Sequence, residues 1–101
     1  MSHDRSRDSR RRRVRVTISG HVQGVAFRYH TRHQARANEV RGWVRNLPDG
    51  RVEALFDGSK DEVASILRWC SRGSPLSRVT GVKTRDEEAL EELPPSFDIR
   101  G

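Results

Sequence analysis

The sequence predicts an α+β domain in which an antiparallel sheet carries two helices on one face. Short segments alternate apolar and polar residues as half-buried strands do, two longer segments have helical composition or spacing, and the order is β-α-β-β-α-β. The chain has 101 residues, which is the length of one domain. Since 33% of its residues are apolar and 34% are charged, the core must be compact and the surface heavily charged.

The first strand and the first helix are separated by a turn that contains glycine. Val14, Val16 and Ile18 alternate with polar residues, which predicts a strand ending at Gly20. From about residue 27 to residue 38 the composition favours a helix, because this segment lacks Gly and Pro and contains good helix formers.

A hairpin and a second helix come next. Residues 42–47 predict a strand, Pro-Asp-Gly at 48–50 predicts a turn, and the alternation over 52–56 predicts the partner strand. Ser59 and Glu62 have the spacing of a capping box, which marks a helix start. Apolar residues then recur at helical spacing, at Val63, Ile66, Leu67 and Cys70.

The chain closes with a fourth strand and a connection to a short fifth one. The fourth strand runs from Val79 to Val82 or beyond, an acidic connection follows over 86–92, and residues 97–99 predict a last short strand. The order of elements matches the ferredoxin-like split βαβ sandwich. This fold serves many unrelated functions, so only the residues of a site can indicate the function.

The first 13 residues differ in composition from the rest. They contain six arginines and two aspartates, so they carry +4 of the formal net charge of +6. No apolar residue lies between Ser2 and Arg13 to pack against a core, so we predict a disordered basic arm at 1–13 and a domain at 14–101. Such an arm binds nucleic acid without sequence preference, and we expect no specific nucleic-acid partner.

Composition also limits the compartment and the covalent chemistry. Cys70 is the only cysteine, which excludes an intrachain disulfide. No run of about 18 apolar residues occurs, and no apolar signal-peptide segment follows the basic start. We expect a cytoplasmic monomer that has no membrane partner.

The segment from Gly20 to Arg28 joins a strand to a helix and has features of an anion site. Gly24 permits a positive φ, so consecutive backbone N–H groups can converge on one point, and the helix start adds a partial positive charge. Arg28 falls in the first helical turn, where the helix dipole disfavours a cation. The same residues are also compatible with a simple turn and a surface arginine. The residue types alone do not decide between an anion site and this structural role.

Asn46 stands at the end of the second strand, just before the turn at 48–50. Asparagine commonly opens such turns, which would be a purely structural role. Its side-chain amide can also donate and accept hydrogen bonds at once, which suits the holding of a water molecule. The residue types alone do not decide between these two roles.

Three segments together resemble the acylphosphatase family. They are Gly20-His21-Val22-Gln23-Gly24-Val25-Ala26-Phe27-Arg28, Gly42-Trp43-Val44-Arg45-Asn46, and the segment Arg72–Val79 after the second helix. The resemblance extends over roughly 14–99 and includes the order and spacing of the motifs. It implies an enzyme that hydrolyses the carboxyl-phosphate bond of acyl phosphates, and it favours the functional readings of Arg28 and Asn46.

The resemblance also implies a role for each site residue. Arg28 matches the arginine that binds phosphate, and Asn46 matches the asparagine that orients the attacking water. The backbone amides of the segment that follows His21 match the phosphate cradle, at Gln23, Gly24, Val25, Ala26 and Phe27. Family members often have Leu-Gly where this chain has Asn38-Glu39, and because Asn tolerates the left-handed backbone of helix ends, we expect only a local change.

The sequence contains no complete set of metal ligands, and we expect no cofactor and no metal. His30 and His33 have a spacing that metal ligands can use, but no carboxylate or cysteine motif completes a site. The partner implied is a small acyl phosphate. Two alternatives are an RNA-binding module of the same fold and a phosphate-binding regulatory domain without turnover. The first is disfavoured because the central strands contain one aromatic residue, Phe56, on the face predicted to point inward.

Overall fold

The computed structural model describes residues 11–101, and the predicted arm at 1–10 lies outside the described residues. Seven elements follow one another along the chain: β1 (Arg11–His21), α1 (Phe27–Ala37), β2 (Arg41–Asn46), β3 (Val52–Ser59), α2 (Lys60–Arg72), β4 (Arg78–Asp86) and β5 (Phe97–Ile99). This order confirms the predicted β-α-β-β-α-β arrangement with a short terminal strand.

One sheet contains all five strands in the order β4-β1-β3-β2-β5. The pairs β1–β3, β1–β4 and β2–β3 are antiparallel, whereas β5 lies parallel to β2. The four strands of the predicted β-α-β-β-α-β order are antiparallel, as expected, and the sheet is mixed only because the additional short strand β5 is parallel to β2. The reason is that the chain crosses from β4 at one edge to β2 at the other, and a strand arriving there can add in either direction.

Both helices pack on one face of the sheet, as predicted. The shared core contains alternate residues of the strands, with the intervening residues on the opposite face. Phe56 lies inside this core, where it stacks on Phe97. From the helices the core receives Phe27, Ala35, Val63, Ile66, Trp69 and Cys70.

A second, smaller apolar cluster lies on the opposite face of the sheet. It consists of Trp43, Leu55 and Leu93. Leu93 belongs to the connection between β4 and β5, and Arg13 donates from its guanidinium to the carbonyl of Glu91 in the same segment at 3.0 Å. The connection therefore crosses the face that the helices leave open, which brings the chain to the far edge of the sheet.

β1 begins at Arg11, three residues before the predicted domain boundary at Val14. Arg13 and Asp57 are both buried, and the guanidinium Nε of Arg13 donates to the carboxylate of Asp57 at 2.9 Å. Arg12 likewise pairs with Asp86 at 3.1 Å. Residues 11–13 therefore belong to the sheet, and the prediction of an arm now applies to residues 1–10 alone.

The helix ends show one confirmed prediction and one correction. The capping box of Ser59 and Glu62 is present in both directions at the start of α2. At the end of α1 we expected Asn38 to take the left-handed conformation, but its φ is −97°. The next residue, Glu39, has φ 59° instead, so the left-handed position falls where family members often have glycine.

Candidate active site

The site is built where β1 leaves the sheet. A β-bulge shifts the register of β1 against β4 between Ser19 and Gly20, and Gly20 has φ 126°. A Cβ on Gly20 would lie only 2.0 Å from the carbonyl oxygen of Arg78. Only glycine therefore allows the end of β1 to lie this close to the start of β4, and this contact places the loop that follows.

The loop over residues 22–26 has the backbone pattern of an anion-binding nest. Gly24 has φ 77°, which confirms the predicted positive φ, and Ala26 has φ 60° and ψ 24°. Residues with positive φ thus alternate with Val25, and such alternation turns successive N–H groups toward one side. A left-handed alanine is unfavourable by itself, and strain of this kind concentrates at functional sites.

The start of α1 is open to a ligand. Ala26 is its N-cap residue and makes no side-chain hydrogen bond to the helix, and the first turn contains no acidic residue. The first N–H groups of a helix have no partner within the helix. At α2, by contrast, Ser59 and Glu62 satisfy such groups. The start of α1 therefore presents unpaired donors and a partial positive charge to an anion.

Arg28 is the second residue of α1 and is half-buried. None of the ion pairs between residues 11–101 involves Arg28, although all six arginines of β1 and β2 are paired with carboxylates. The preceding residue, Phe27, is buried and stacks on Trp69 with ring centroids 5.4 Å apart. This contact fixes the start of α1 against α2, and the guanidinium follows directly after the nest.

Asn46 ends β2 and pairs with Val52 of β3. Its Oδ1 atom is buried and has no hydrogen-bond partner within the described part of the chain. A buried acceptor without a partner costs about 1–3 kcal/mol, so such an atom calls for an explanation. A water molecule held for reaction would supply the missing donor.

Gln23 connects the nest to the strand end that carries Asn46. Its side-chain Nε2 donates to the carbonyl of Leu47 at 2.8 Å and to the carbonyl of Arg51 at 2.9 Å. Leu47 directly follows Asn46 in the chain. The structure therefore brings the predicted loop residues and Asn46 into one site.

Other groups with reactive potential lie elsewhere. Cys70 is fully buried, and this burial raises the pKa of its thiol to about 12, so a thiolate is not available near neutral pH. Within residues 11–101 no group of three or more His, Cys, Asp or Glu side chains is placed to hold a metal ion. In the same part of the chain no helix is both long and apolar enough to cross a membrane.

A cavity of about 620 Å³ lies near the first residues of β1 and the start of α2, away from the nest. It is lined by Arg11, Arg12, Arg13, Lys60, Asp61, Ala64, Asp86 and Glu87. Its three arginines are already paired with Asp57 or Asp86. We therefore propose the nest, and not this cavity, as the functional site, because the arginines of the cavity are already paired.

Sequence reasoning found the loop but missed two of its features. The left-handed backbone of Ala26 was not expected, because alanine ordinarily avoids that region. The side-chain bonds of Gln23 are also not predicted, since the resemblance assigns a role only to its backbone amide. A glutamine beside a tight loop has a side-chain amide that can bond to nearby carbonyls, but the sequence does not reveal which ones.

The three comparisons with known proteins all find acylphosphatases. The family model described as Acylphosphatase matches residues 14–99. An acylphosphatase of Syntrophobacter fumaroxidans is 56% identical over 83 residues, which cover 82% of this chain and 86% of that protein. The crystal structure of acylphosphatase from Bacillus subtilis is 36% identical with a TM-score of 0.84 and covers 89% of this chain and 99% of that one. An acylphosphatase structure from Coxiella burnetii is 30% identical with a TM-score of 0.85 and covers 99% and 100%.

Proposed function

The chain belongs to the acylphosphatase family and hydrolyses acyl phosphates, and we propose that Arg28 and Asn46 are its catalytic pair. The observation that supports this pairing is the double hydrogen bond of Gln23, which joins the phosphate loop to the strand end of Asn46. The products are a carboxylate and inorganic phosphate.

We assign phosphate binding to the loop and to Arg28. The N–H groups of residues 23–27 and the open start of α1 supply donors and a partial positive charge. A guanidinium adds two parallel donors in a planar fork, which matches two oxygens of a phosphate. Such a site stabilises the charge that spreads over the phosphate oxygens in the transition state.

We assign the nucleophile to a water molecule held by Asn46. The unpaired Oδ1 would accept a hydrogen bond from this water and direct its oxygen toward phosphorus. As the water oxygen bonds to phosphorus, the bond from phosphorus to the acyl oxygen breaks and the carboxylate leaves with the electron pair. The water oxygen stays on the phosphate, and its protons are distributed between the phosphate product and solvent.

The chemistry of the substrate explains why so few side chains suffice. The leaving carboxylate has a pKa of about 4, so it departs without a proton from an acid. Phosphoryl transfer through a loose transition state needs chiefly positioning and charge stabilisation. We therefore propose a mechanism that requires no metal ion, no cofactor and no covalent intermediate.

The test of Asn46 separates binding from chemistry. Asn46→Ala should bind inorganic phosphate almost normally, while kcat for benzoyl phosphate falls by about 10²–10³, the usual loss for one positioned hydrogen-bonding group. An interaction that matters mainly in the transition state changes kcat and leaves ground-state affinity intact. The measurement is kcat together with the inhibition constant for phosphate.

Asn46→Asp is the matched variant, because it keeps the shape of the side chain. A carboxylate loses the amide donor and repels the phosphate, so this variant should be no more active than Asn46→Ala. Near-normal kcat in Asn46→Ala would show that Asn46 is only a turn residue and would refute the assignment.

Metal independence is tested on the same substrate. A chelator such as EDTA should leave kcat unchanged, and inorganic phosphate should compete with benzoyl phosphate because both occupy the nest. Loss of activity with the chelator, and its return on adding Zn²⁺ or Mg²⁺, would refute this part of the proposal. The cytoplasmic location and the monomeric state stay predictions, to be checked by cell fractionation and by light scattering.

A further inference from the structure

The side-chain amide nitrogen of Gln23 donates two hydrogen bonds to one place in the fold. Both protons of its amide nitrogen are used, because Nε2 donates to the carbonyls of Leu47 and Arg51 at 2.8 and 2.9 Å. These partners lie 24 and 28 residues further along the chain. The bonds are therefore tertiary contacts between the phosphate loop and the β2–β3 turn.

The two carbonyls that Gln23 binds also close the turn itself. The N–H of Gly50 donates to the carbonyl of Leu47 at 3.2 Å, and the N–H of Leu47 donates to the carbonyl of Arg51 at 2.8 Å. Gln23 thus adds a donor to each carbonyl at the mouth of the turn. The adjoining pair of the β2–β3 ladder is Asn46 with Val52, so a shift of this turn also shifts Asn46.

The side chain of Asn46 has little of its own to hold it in place. Its Oδ1 has no partner within residues 11–101. The direction of this side chain relative to the phosphate therefore depends on where the backbone of β2 ends. Gln23 joins the two backbone segments concerned, which are the loop at 22–26 and the β2–β3 turn.

We propose that the Gln23 side chain is a positioning residue that sets the separation between the phosphate loop and Asn46. This inference rests on the proposed function, since it assigns Gln23 an effect that acts through Asn46. Displacement of a positioned group by about 1 Å can cost on the order of 10²-fold in rate. The phosphate itself contacts the loop amides and Arg28, so loss of the Gln23 bonds affects rate more than phosphate affinity.

The main test replaces the amide and keeps its length. Gln23→Met removes both donors, and kcat for benzoyl phosphate should fall by about 10–100-fold while the inhibition constant for phosphate changes less than about threefold. Combined with Asn46→Ala, it should cause little further loss, because residues that act through one another are not additive. The control is Asn38→Leu, since the Asn38 amide also donates to a backbone carbonyl, that of Gln34 at 2.8 Å, outside the site. Its kcat should equal that of the wild type.

A pH profile supplies a readout that a purely structural role would not change. Gln23→Glu keeps the shape but places a carboxylate against two carbonyls, and protonation restores one donor. Its kcat relative to wild type should therefore rise as pH falls toward about 4, after subtraction of spontaneous hydrolysis. If Gln23→Met does not fold, the pH profile of Gln23→Glu is the test of the proposal. A ratio of Gln23→Glu kcat to wild-type kcat that does not change with pH overturns it.

The outcomes separate this inference from the proposed function. If Asn46→Ala loses kcat while folded Gln23→Met keeps it, the positioning role is refuted and the catalytic pair stands. If Asn46→Ala keeps its kcat, both are refuted. If Gln23→Met loses phosphate affinity as much as rate, or if its loss is additive with that of Asn46→Ala, the side chain serves the phosphate loop alone and the inference is overturned.

Discussion

Arg28 lies where a helix disfavours a cation. It is the second residue of α1, and no acidic residue in the first turn offsets its charge. A like charge at a helix start costs about 0.3–1 kcal/mol. The placement is therefore unfavourable for α1 in isolation, and under the proposed function a phosphate bound in the nest would offset this cost.

Replacement of Arg28 should separate the planar fork from the charge. Arg28→Lys keeps the charge but loses the two parallel donors, so both Arg28→Lys and Arg28→Ala should lose most of kcat and bind phosphate more weakly. Arg28→Ala should also be as stable as the wild type or up to about 1 kcal/mol more stable, because it removes a cation from the helix start. Activity, phosphate inhibition and urea unfolding measure these effects.

Arg32→Ala, one turn later on α1, is the control for Arg28 and should keep wild-type activity. Arg32 lies over the ring of Tyr29, on the exposed side of the helix. A fully active Arg28→Lys variant would mean that charge alone suffices and that the fork has no special role.

Single residues of the loop differ in how far the sequence predicts them. Gly24 was predicted to have positive φ because glycine is the residue that takes it without cost. Ala26 also has a positive φ, but an alanine does not predict this conformation. The closure of the loop between β1 and α1 imposes it. Gln23 bonds to residues far along the chain, and local patterns contain no information on such partners.

At the scale of elements, the end of α1 departs from the usual chemistry of helix ends. The N–H of Val40 donates to the carbonyl of Ala35, and that of Glu39 donates to the carbonyl of Arg36. These two bonds define a Schellman motif, in which the residue after the C-cap is left-handed and is usually glycine. Here that residue is Glu39, with φ 59°.

Glu39→Gly should therefore stabilise the protein. The left-handed conformation costs a residue with a Cβ roughly 1–2 kcal/mol, and the extra freedom of glycine in the unfolded chain returns about 0.4–1 kcal/mol of that. A net gain of about 0.5–1 kcal/mol in the free energy of unfolding is expected, with kcat unchanged. Urea unfolding measures the gain.

Asn38→Gly is the matched control, one residue earlier. Its φ of −97° suits any residue, so glycine there should be neutral or destabilising. A gain in stability from Asn38→Gly, together with none from Glu39→Gly, would contradict the position of the Schellman motif.

Most elements were predictable because their signals are local. The capping box of α2 and the alternation in β1 and β3 involve residues close together in the chain, and the structure confirms them. The direction of β5 depends on the route of the connection between β4 and β5. That route is held by Leu93 against Trp43 and Leu55, contacts that no sequence periodicity encodes.

Across the chain, most of the positive charge belongs to the folded domain and not to the arm. Residues 1–10 contain three arginines and two aspartates, a net charge of +1, so the remaining +5 of the +6 belongs to residues 11–101. The other three arginines of the predicted arm lie in β1, and each is paired with Asp57 or Asp86. From the sequence alone, a run of arginines predicts a solvated arm. The carboxylates that pair with these arginines lie more than 40 residues further along the chain, so a local pattern does not reveal them.

Asp57 shows why the domain needs these arginines. It is 6% exposed, and its carboxylate pairs with Arg13 of β1, which is 7% exposed. Arg11 pairs with the same carboxylate, and Arg41 lies 3.8 Å from it. Removing one partner of a buried ion pair costs about 3–5 kcal/mol, because the other charge is left without compensation.

Two deletions therefore distinguish the arm from the domain. Deleting residues 2–10 should change the free energy of unfolding by less than about 0.5 kcal/mol and leave kcat intact, because these residues include no apolar side chain that could pack against the core. Deleting 2–13 removes the partners of Asp57 from β1 and should destabilise the protein by about 3–5 kcal/mol. Arg13→Met in the full chain should reproduce most of this loss, and equal stability of both deletions would refute the structural role of Arg13.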